Sequence, residues 1–381
     1  MTASDSVPDS VPDSAPVRSA LRIHVVSFSG DSGITDYAVS LCRALDALAD
    51  VTLVTARSYD PARYQVAFRC HRVFRRTLLY PLDLLRFIAY TLREKPDVVL
   101  FQSWLKWPLL EAPLIALLRL AGIRTALTVH DLLPHDPRRW SRAFCAAFYR
   151  RFERLVVHSD RAAQGLREMG VTTAPLVVPH GIYDIFRLAP LTRADALRQL
   201  PQLDADDFTV LFFGHIDVRK GILEFLRASA LLRHEPRIKF VVAGGRGGGM
   251  PAAVSAELDR YAGAPNVVLH DTQVPFERVQ YYFTAAHAVA LPYLEGTTSG
   301  VIKLAMAFDR PILATDIGDF AETLRDWSGI VLAGADPAAA LAQAIVQMRD
   351  GYDSYVAELK ANGAKYQWPH IAAAHLRYLA A

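Results

Sequence analysis

The chain has 381 residues, which at roughly 100–200 residues per domain points to two domains and is long enough to bury sizeable cores. Hydrophobic residues make up 52% and charged residues 21%, ordinary globular usage that excludes global disorder. Lys and Arg number 42 against 39 Asp and Glu, a formal net charge of +3, too balanced for a protein whose whole surface clamps a nucleic-acid backbone.

Residues 5–16 repeat Asp, Ser and Pro and cannot bury a hydrophobic face, so residues 1–20 read as a disordered tail. The residues before Arg18 contain no Lys or Arg and no apolar core of the kind a secretory signal needs. Cys42, Cys70 and Cys145 lie far apart without a Cys-x-x-Cys pair, which argues against a disulfide framework or a thiolate zinc site. The expectation is a cytoplasmic protein with no bound metal. The stretch from Trp107 to Ile123 is broken by Glu111 and Arg119, short of the ~18–20 apolar residues that span a bilayer.

The folded part opens at Leu21 with LRIHVVSFS, a strand pattern that ends at Gly30 and is followed by a helical pattern from Tyr37 to Leu48. Strands follow at 51–56, 97–103, 125–131 and 154–160, with a helical segment from Tyr80 to Glu94 between the first two. After a proline-containing stretch at 179–201 the alternation restarts, with strands at 208–214, 238–245, 266–271, 287–293 and 310–316. Runs this apolar on both faces are parallel strands covered by helices on each side. The fold class expected is α/β: Rossmann-like doubly wound domains at 21–185 and 186–362 facing a central cleft, with a last helix in 363–381 crossing back to the first.

Neither half carries the Gly-x-Gly-x-x-Gly dinucleotide fingerprint after its first strand, and 214–221 reads GHIDVRKG, with Lys220 before the second glycine instead of after it as in a P-loop. Other loops at strand ends remain. Gly30 to Gly33 leaves backbone N–H groups near a helix start, suited to a phosphate or a sugar hydroxyl, or forms a plain turn. His130 ends a strand beside Asp131, either as a reacting group or as the partner of that carboxylate. Arg219 and Lys220 at a strand-to-helix loop form either a diphosphate site or a solvated surface pair. Glu295 precedes Thr298, Ser299, Gly300 and Val301, small residues that open a helix and let amides cradle a phosphate. Residues 137–154 carry six arginines interleaved with aromatics, which fits either an anionic membrane surface or a helix packed on its own sheet with solvated arginines.

Taken in order, these phrases resemble the GT-B glycosyltransferases, most closely the retaining family 4 (group 1). They are Gly30 to Gly33, ThrValHisAspLeu at 128–132, ValValHisSer at 156–159, ValProHisGly at 178–181, the 212–221 loop, AlaGlyGly at 243–245 and the run from 291 to 316. The resemblance implies catalytic roles for His130 and Glu295. It implies a donor diphosphate held by Gly33, Arg219, Lys220, Thr298, Ser299, Gly300, Val301 and Lys303, and a nucleobase at Val274. Lys303 stands where the family's Glu-x7-Glu element has its second glutamate; a lysine cannot accept ribose hydrogen bonds but can reach a diphosphate. Asp217 departs from the family's basic loop and would repel a phosphate.

The function implied is transfer of a sugar from a UDP- or GDP-sugar to a hydroxyl of a lipid-linked or polysaccharide acceptor, with retention and without metal or other cofactor. Exopolysaccharide, capsule or lipopolysaccharide-type synthesis at the inner face of the membrane is the setting expected, with no nucleic acid. An inverting enzyme would need a carboxylate base, for which Asp31 and Asp36 are the candidates. The alternatives are a non-catalytic nucleotide-sugar- or partner-binding protein and, further off, an epimerase or phosphorylase on the same architecture.

Overall fold

The computed structural model describes residues 19–381 apart from 65, 76–77, 103–107, 135–137, 248, 297–298 and 326. Residues 1–18 of the expected tail and Thr298 of the expected phosphate loop lie outside the described residues.

The first parallel sheet contains β1 (Arg22–Val26), β2 (Asp50–Ala56), β3 (Arg69–Phe74), β4 (Val98–Phe101), β5 (Arg124–Thr128), β6 (Arg154–Val157) and β7 (Leu176–Val177). Its spatial order is β3-β2-β1-β4-β5-β6-β7. The second contains β8 (Phe208–Phe213), β9 (Ile238–Ala243), β10 (Val267–His270), β11 (Ala288–Leu291), β12 (Ile312–Thr315) and β13 (Gly329–Leu332), in the order β10-β9-β8-β11-β12-β13. Strand order reverses between β1 and β4 and again between β8 and β11, and open α/β sheets bind ligands beyond the carboxyl ends of the strands at such points. Residues Ile23 to Val26 of β1 are buried because helices cover both faces of the sheet.

The helices follow from apolar spacing. In helix 33–46, Tyr37, Leu41 and Leu45 fall on one buried stripe, and the Ser32 side chain caps its start. Helices 80–94, 108–120 and 141–149 cover the opposite face, where Leu84, Phe87, Leu118, Phe148, Tyr149 and Phe152 share one core with Phe101. The arginine-rich segment therefore turns most of its aromatics toward its own sheet; Trp140 alone of its described aromatics is strongly exposed.

The final helix, 368–380, packs against helix 33–46 of the first domain. Trp368 Nε1 donates to the Ile182 carbonyl at 2.6 Å, Tyr378 Oη donates to that of Ala174 at 2.9 Å, and Arg124 donates to that of Leu379 at 2.7 Å. Trp368→Ala removes a buried indole and should destabilise the protein by about 3–5 kcal/mol, read as a lower urea midpoint.

Candidate active site in the interdomain cleft

At the carboxyl ends of β8, β9 and β11 the loops meet backbone to backbone. A Cβ at Gly221 would stand 1.8 Å from the Pro292 carbonyl oxygen, and one at Gly244 would stand 1.9 Å from that of Gly214. Asp217 accepts from the Arg219 N–H at 2.9 Å and pairs with its guanidinium at 3.3 Å, so it shapes the 218–220 turn and tethers Arg219. The Arg219 side chain is 65% exposed, whereas Lys220 is half-buried, with its ammonium 5.8 Å from the Tyr293 ring centroid. A Cβ at Gly214 would lie 3.5 Å from Lys220 Nζ and 3.7 Å from Val301 Cγ2, which places this ammonium beside the start of helix 300–307. Burial lowers the Lys220 pKa.

The loop after β11 is tied to the same turn: the Arg219 carbonyl accepts from Leu294 N–H at 2.8 Å and Glu295 N–H at 3.2 Å. Ser299 Oγ caps helix 300–307 by accepting from Val301 N–H at 3.2 Å, and it bonds the Tyr293 hydroxyl at 3.1 Å. Lys220, Ser299, Gly300 and Val301 are thereby brought together around a helix start with positive potential. Glu295 is exposed on the 294–296 loop, and Val274 is half-buried in the loop beside Gly245.

On the first domain, the Ser29 carbonyl accepts from the hydroxyls of Ser27, Thr35 and Thr55 at 3.1, 2.8 and 2.8 Å, which braces the glycine loop. Tyr183, a residue sequence reasoning missed, joins the two halves. Its hydroxyl donates to the Gly33 carbonyl at 3.1 Å, its N–H donates to the Lys303 carbonyl at 3.2 Å, and its ring lies 3.2 Å from where a Gly300 Cβ would stand. Nothing in the local sequence marks it.

His130 lies over Tyr37, whose ring also meets His158, His180 and Trp368 at centroid distances of 4.9, 5.1, 4.7 and 5.2 Å respectively. His375 donates from Nδ1 to the Ile371 carbonyl at 2.9 Å, so its Nε2 is the acceptor facing the Tyr37 hydroxyl at 3.5 Å. Burial pushes His130 and His375 down to about 4, and pushes His158 and His180 well below the usual imidazole value. These imidazoles are neutral in the fold and gain protons on unfolding, so stability is complete above about pH 6.5 and falls as the pH drops toward 4. Melting temperatures measured from pH 7.5 to 4.5 should decline through that window; a flat profile would contradict the neutral cluster.

Lys303 is only 4% exposed, with its ammonium over the Tyr366 ring at 5.8 Å. Burial lowers its pKa, opposed by the charges of Asp319 and Glu322. Its backbone carbonyl accepts from Tyr183 N–H, which places it at the joint between the domains. Asp36 is buried and accepts from the Tyr64 hydroxyl at 2.6 Å, and burial raises its pKa; Asp31 is exposed.

The family model described as "Glycosyl transferases group 1" matches residues 207–350, and that described as "Glycosyl transferase 4-like domain" matches residues 32–181. A D-inositol 3-phosphate glycosyltransferase of Nocardia farcinica is 31% identical over 232 residues, covering 58% of this chain and 51% of that protein. One from Xylanimonas cellulosilytica is 29% identical over 245 residues, covering 59% and 57%. The chain thus spans about half the length of these relatives. Among solved structures, Anabaena HepE in complex with UDP has a TM-score of 0.73 at 14% identity, covering 94% of this chain and all of that one. Sucrose-phosphate synthase from Thermosynechococcus elongatus has a TM-score of 0.69 at 22% identity, covering 94% and 98%. With both domains matched and two parallel sheets of doubly wound order, the chain belongs to the group 1 glycosyltransferases of GT-B fold.

Proposed function

We propose that the protein is a hexosyltransferase that moves a sugar from a nucleoside-diphosphate sugar, UDP- or GDP-linked, to an acceptor hydroxyl. The observation that carries this reading is the convergence of Lys220 Nζ with Gly214 and Val301 at the capped start of helix 300–307. A half-buried cation and the positive end of a helix neutralise the charge that develops on a departing diphosphate. The reading therefore assigns no step to a metal ion. Glu295 is assigned to sugar hydroxyls, His130 to the reacting centre across the cleft, and Val274 to the nucleobase. Anabaena HepE in complex with UDP shares the fold, which supports a uridine donor.

Retention is the stereochemistry proposed. The inverting alternative needs a carboxylate base, and of its two candidates Asp36 is already engaged by Tyr64, which leaves Asp31 on the glycine loop. The acceptor proposed is a lipid-linked glycan at a membrane surface, in polysaccharide synthesis. The relatives named for inositol 3-phosphate transfer favour a second reading, a phosphorylated polyol acceptor.

The test is incubation of the purified protein with UDP-, GDP- and ADP-sugars, following slow donor hydrolysis and the anomer first released by NMR. Release of the α-sugar from an α-linked donor is expected; release of the β-sugar would overturn retention, and no hydrolysis or binding across the panel would overturn the transferase reading. Asp36→Asn should leave the rate within about threefold, since an engaged carboxylate supplies no base.

A further inference from the structure

The outward side of the helix layer on the first domain exposes a run of leucines. Leu78, in the turn ahead of helix 80–94, is followed by Leu82 and Leu85 within the helix, and the three are 92%, 42% and 63% exposed. On the neighbouring helix 108–120, Leu117 and Leu120 are 40% and 86% exposed. The two helices pack side by side, since the buried residues of each, Leu84 and Phe87 on one and Leu114 and Leu118 on the other, share one core. The leucines opposite that core therefore face outward together, and clustered exposed leucines mark a docking surface.

Charge says what the surface docks on. Arg86 and Arg119 project from the same helices with side chains 47% exposed. Arg86 lies 3.5 Å from Asp83, and Arg119 lies 3.8 Å from Glu153 and donates to the Arg151 carbonyl. Over residues 78–92 and 112–120 the one carboxylate, Asp83, is fully buried. Glu153, 36% exposed, offsets Arg119, and Arg75 and Arg86 share the buried Asp83; an apolar stripe with an excess of cations complements an anionic bilayer, with leucines in the acyl boundary and guanidinium groups at the phosphates. We propose that this face, and not the aromatic side of segment 137–154, seats the protein on an anionic lipid surface. The inference deepens the lipid-linked acceptor reading and rests on it only for the purpose of the contact.

The test is flotation of the full-length protein with vesicles of phosphatidylcholine alone or mixed equally with phosphatidylglycerol. Binding to the anionic vesicles is expected, released by high salt. The variant Leu82→Glu/Leu85→Glu should bind at least about tenfold more weakly, and Arg86→Ala/Arg119→Ala about 20–30-fold more weakly. Unchanged melting temperatures and unchanged nucleotide binding in the variants would show that fold and donor site are intact. Absence of binding to anionic vesicles, or equal binding by wild type and both variants, would overturn the proposal. So would a wild-type dimer in size-exclusion chromatography that the leucine variant converts to monomer, because a second copy would then cover the face. Failure of the donor panel with vesicle binding preserved would reject the transferase reading alone.

Discussion

Lys220→Ala is expected to lower kcat about 10²–10³-fold while leaving the fold intact, the loss typical of removing one preorganised group that stabilises developing charge. Lys220 is half-buried against Tyr293 and Gly214, and burial lowers its pKa, so its charge is held in a partly desolvated place where it acts strongly on a phosphate. Arg219, largely exposed and paired with Asp217, should matter less: Arg219→Ala is expected to cost about tenfold or less. Unequal losses in the two variants, with unchanged circular dichroism, would assign the diphosphate contact to Lys220; equal losses would return the role to the pair.

Gly221→Ala should have the largest structural effect of any single methyl group in the donor loop. Gly221 has φ of 72°, and a Cβ there would stand 1.8 Å from the Pro292 carbonyl oxygen. The left-handed backbone costs a non-glycine residue about 1–2 kcal/mol, and overpacking adds about 1–3 kcal/mol, so a total of about 2–5 kcal/mol is expected. Gly122 provides the control: its φ is 77°, but nothing lies within 4 Å of its Cβ position, so Gly122→Ala should cost only the backbone part, about 1–2 kcal/mol. Urea midpoints compared between the two variants separate strain from clash. Gly221→Ala should also weaken nucleotide binding, because it parts the basic turn from the loop after β11.

The strands legible in the sequence are mostly those buried on both faces, where an unbroken β-branched run leaves little ambiguity; the edge strand β10 is legible too, because its Val267–His270 run is apolar in sequence although half-buried in the fold. β3, β7 and β13 carry no clear strand pattern in the sequence, and all of them lie at sheet edges. β3 exposes Arg69 and Arg72, β7 is only Leu176–Val177, and β13 is half-exposed along its length, so none shows a buried strand's pattern. The donor loops were legible because glycines and small residues follow strand ends there. The joint between domains was not. Tyr183 meets Gly33 and Gly300, and Tyr37 meets a histidine 338 positions away, contacts that no local pattern encodes. Lys303 was legible as a departure from the family pattern, but its burial against Tyr366 depends on the returning C-terminal segment. The arginine-rich stretch 137–154 leaves two readings open in the sequence for a related reason: periodicity marks two faces on a helix without saying which is covered, and the sheet claims the aromatic one.

The central claim is that the cleft binds a nucleoside diphosphate through Lys220 and the start of helix 300–307. Isothermal titration of the full-length protein with UDP, GDP and ADP tests it most directly. Saturable one-to-one binding of UDP or GDP, weakened at least about tenfold in Lys220→Ala, is the result predicted. Absence of binding by all of these nucleotides, or equal affinity in the variant, would contradict it.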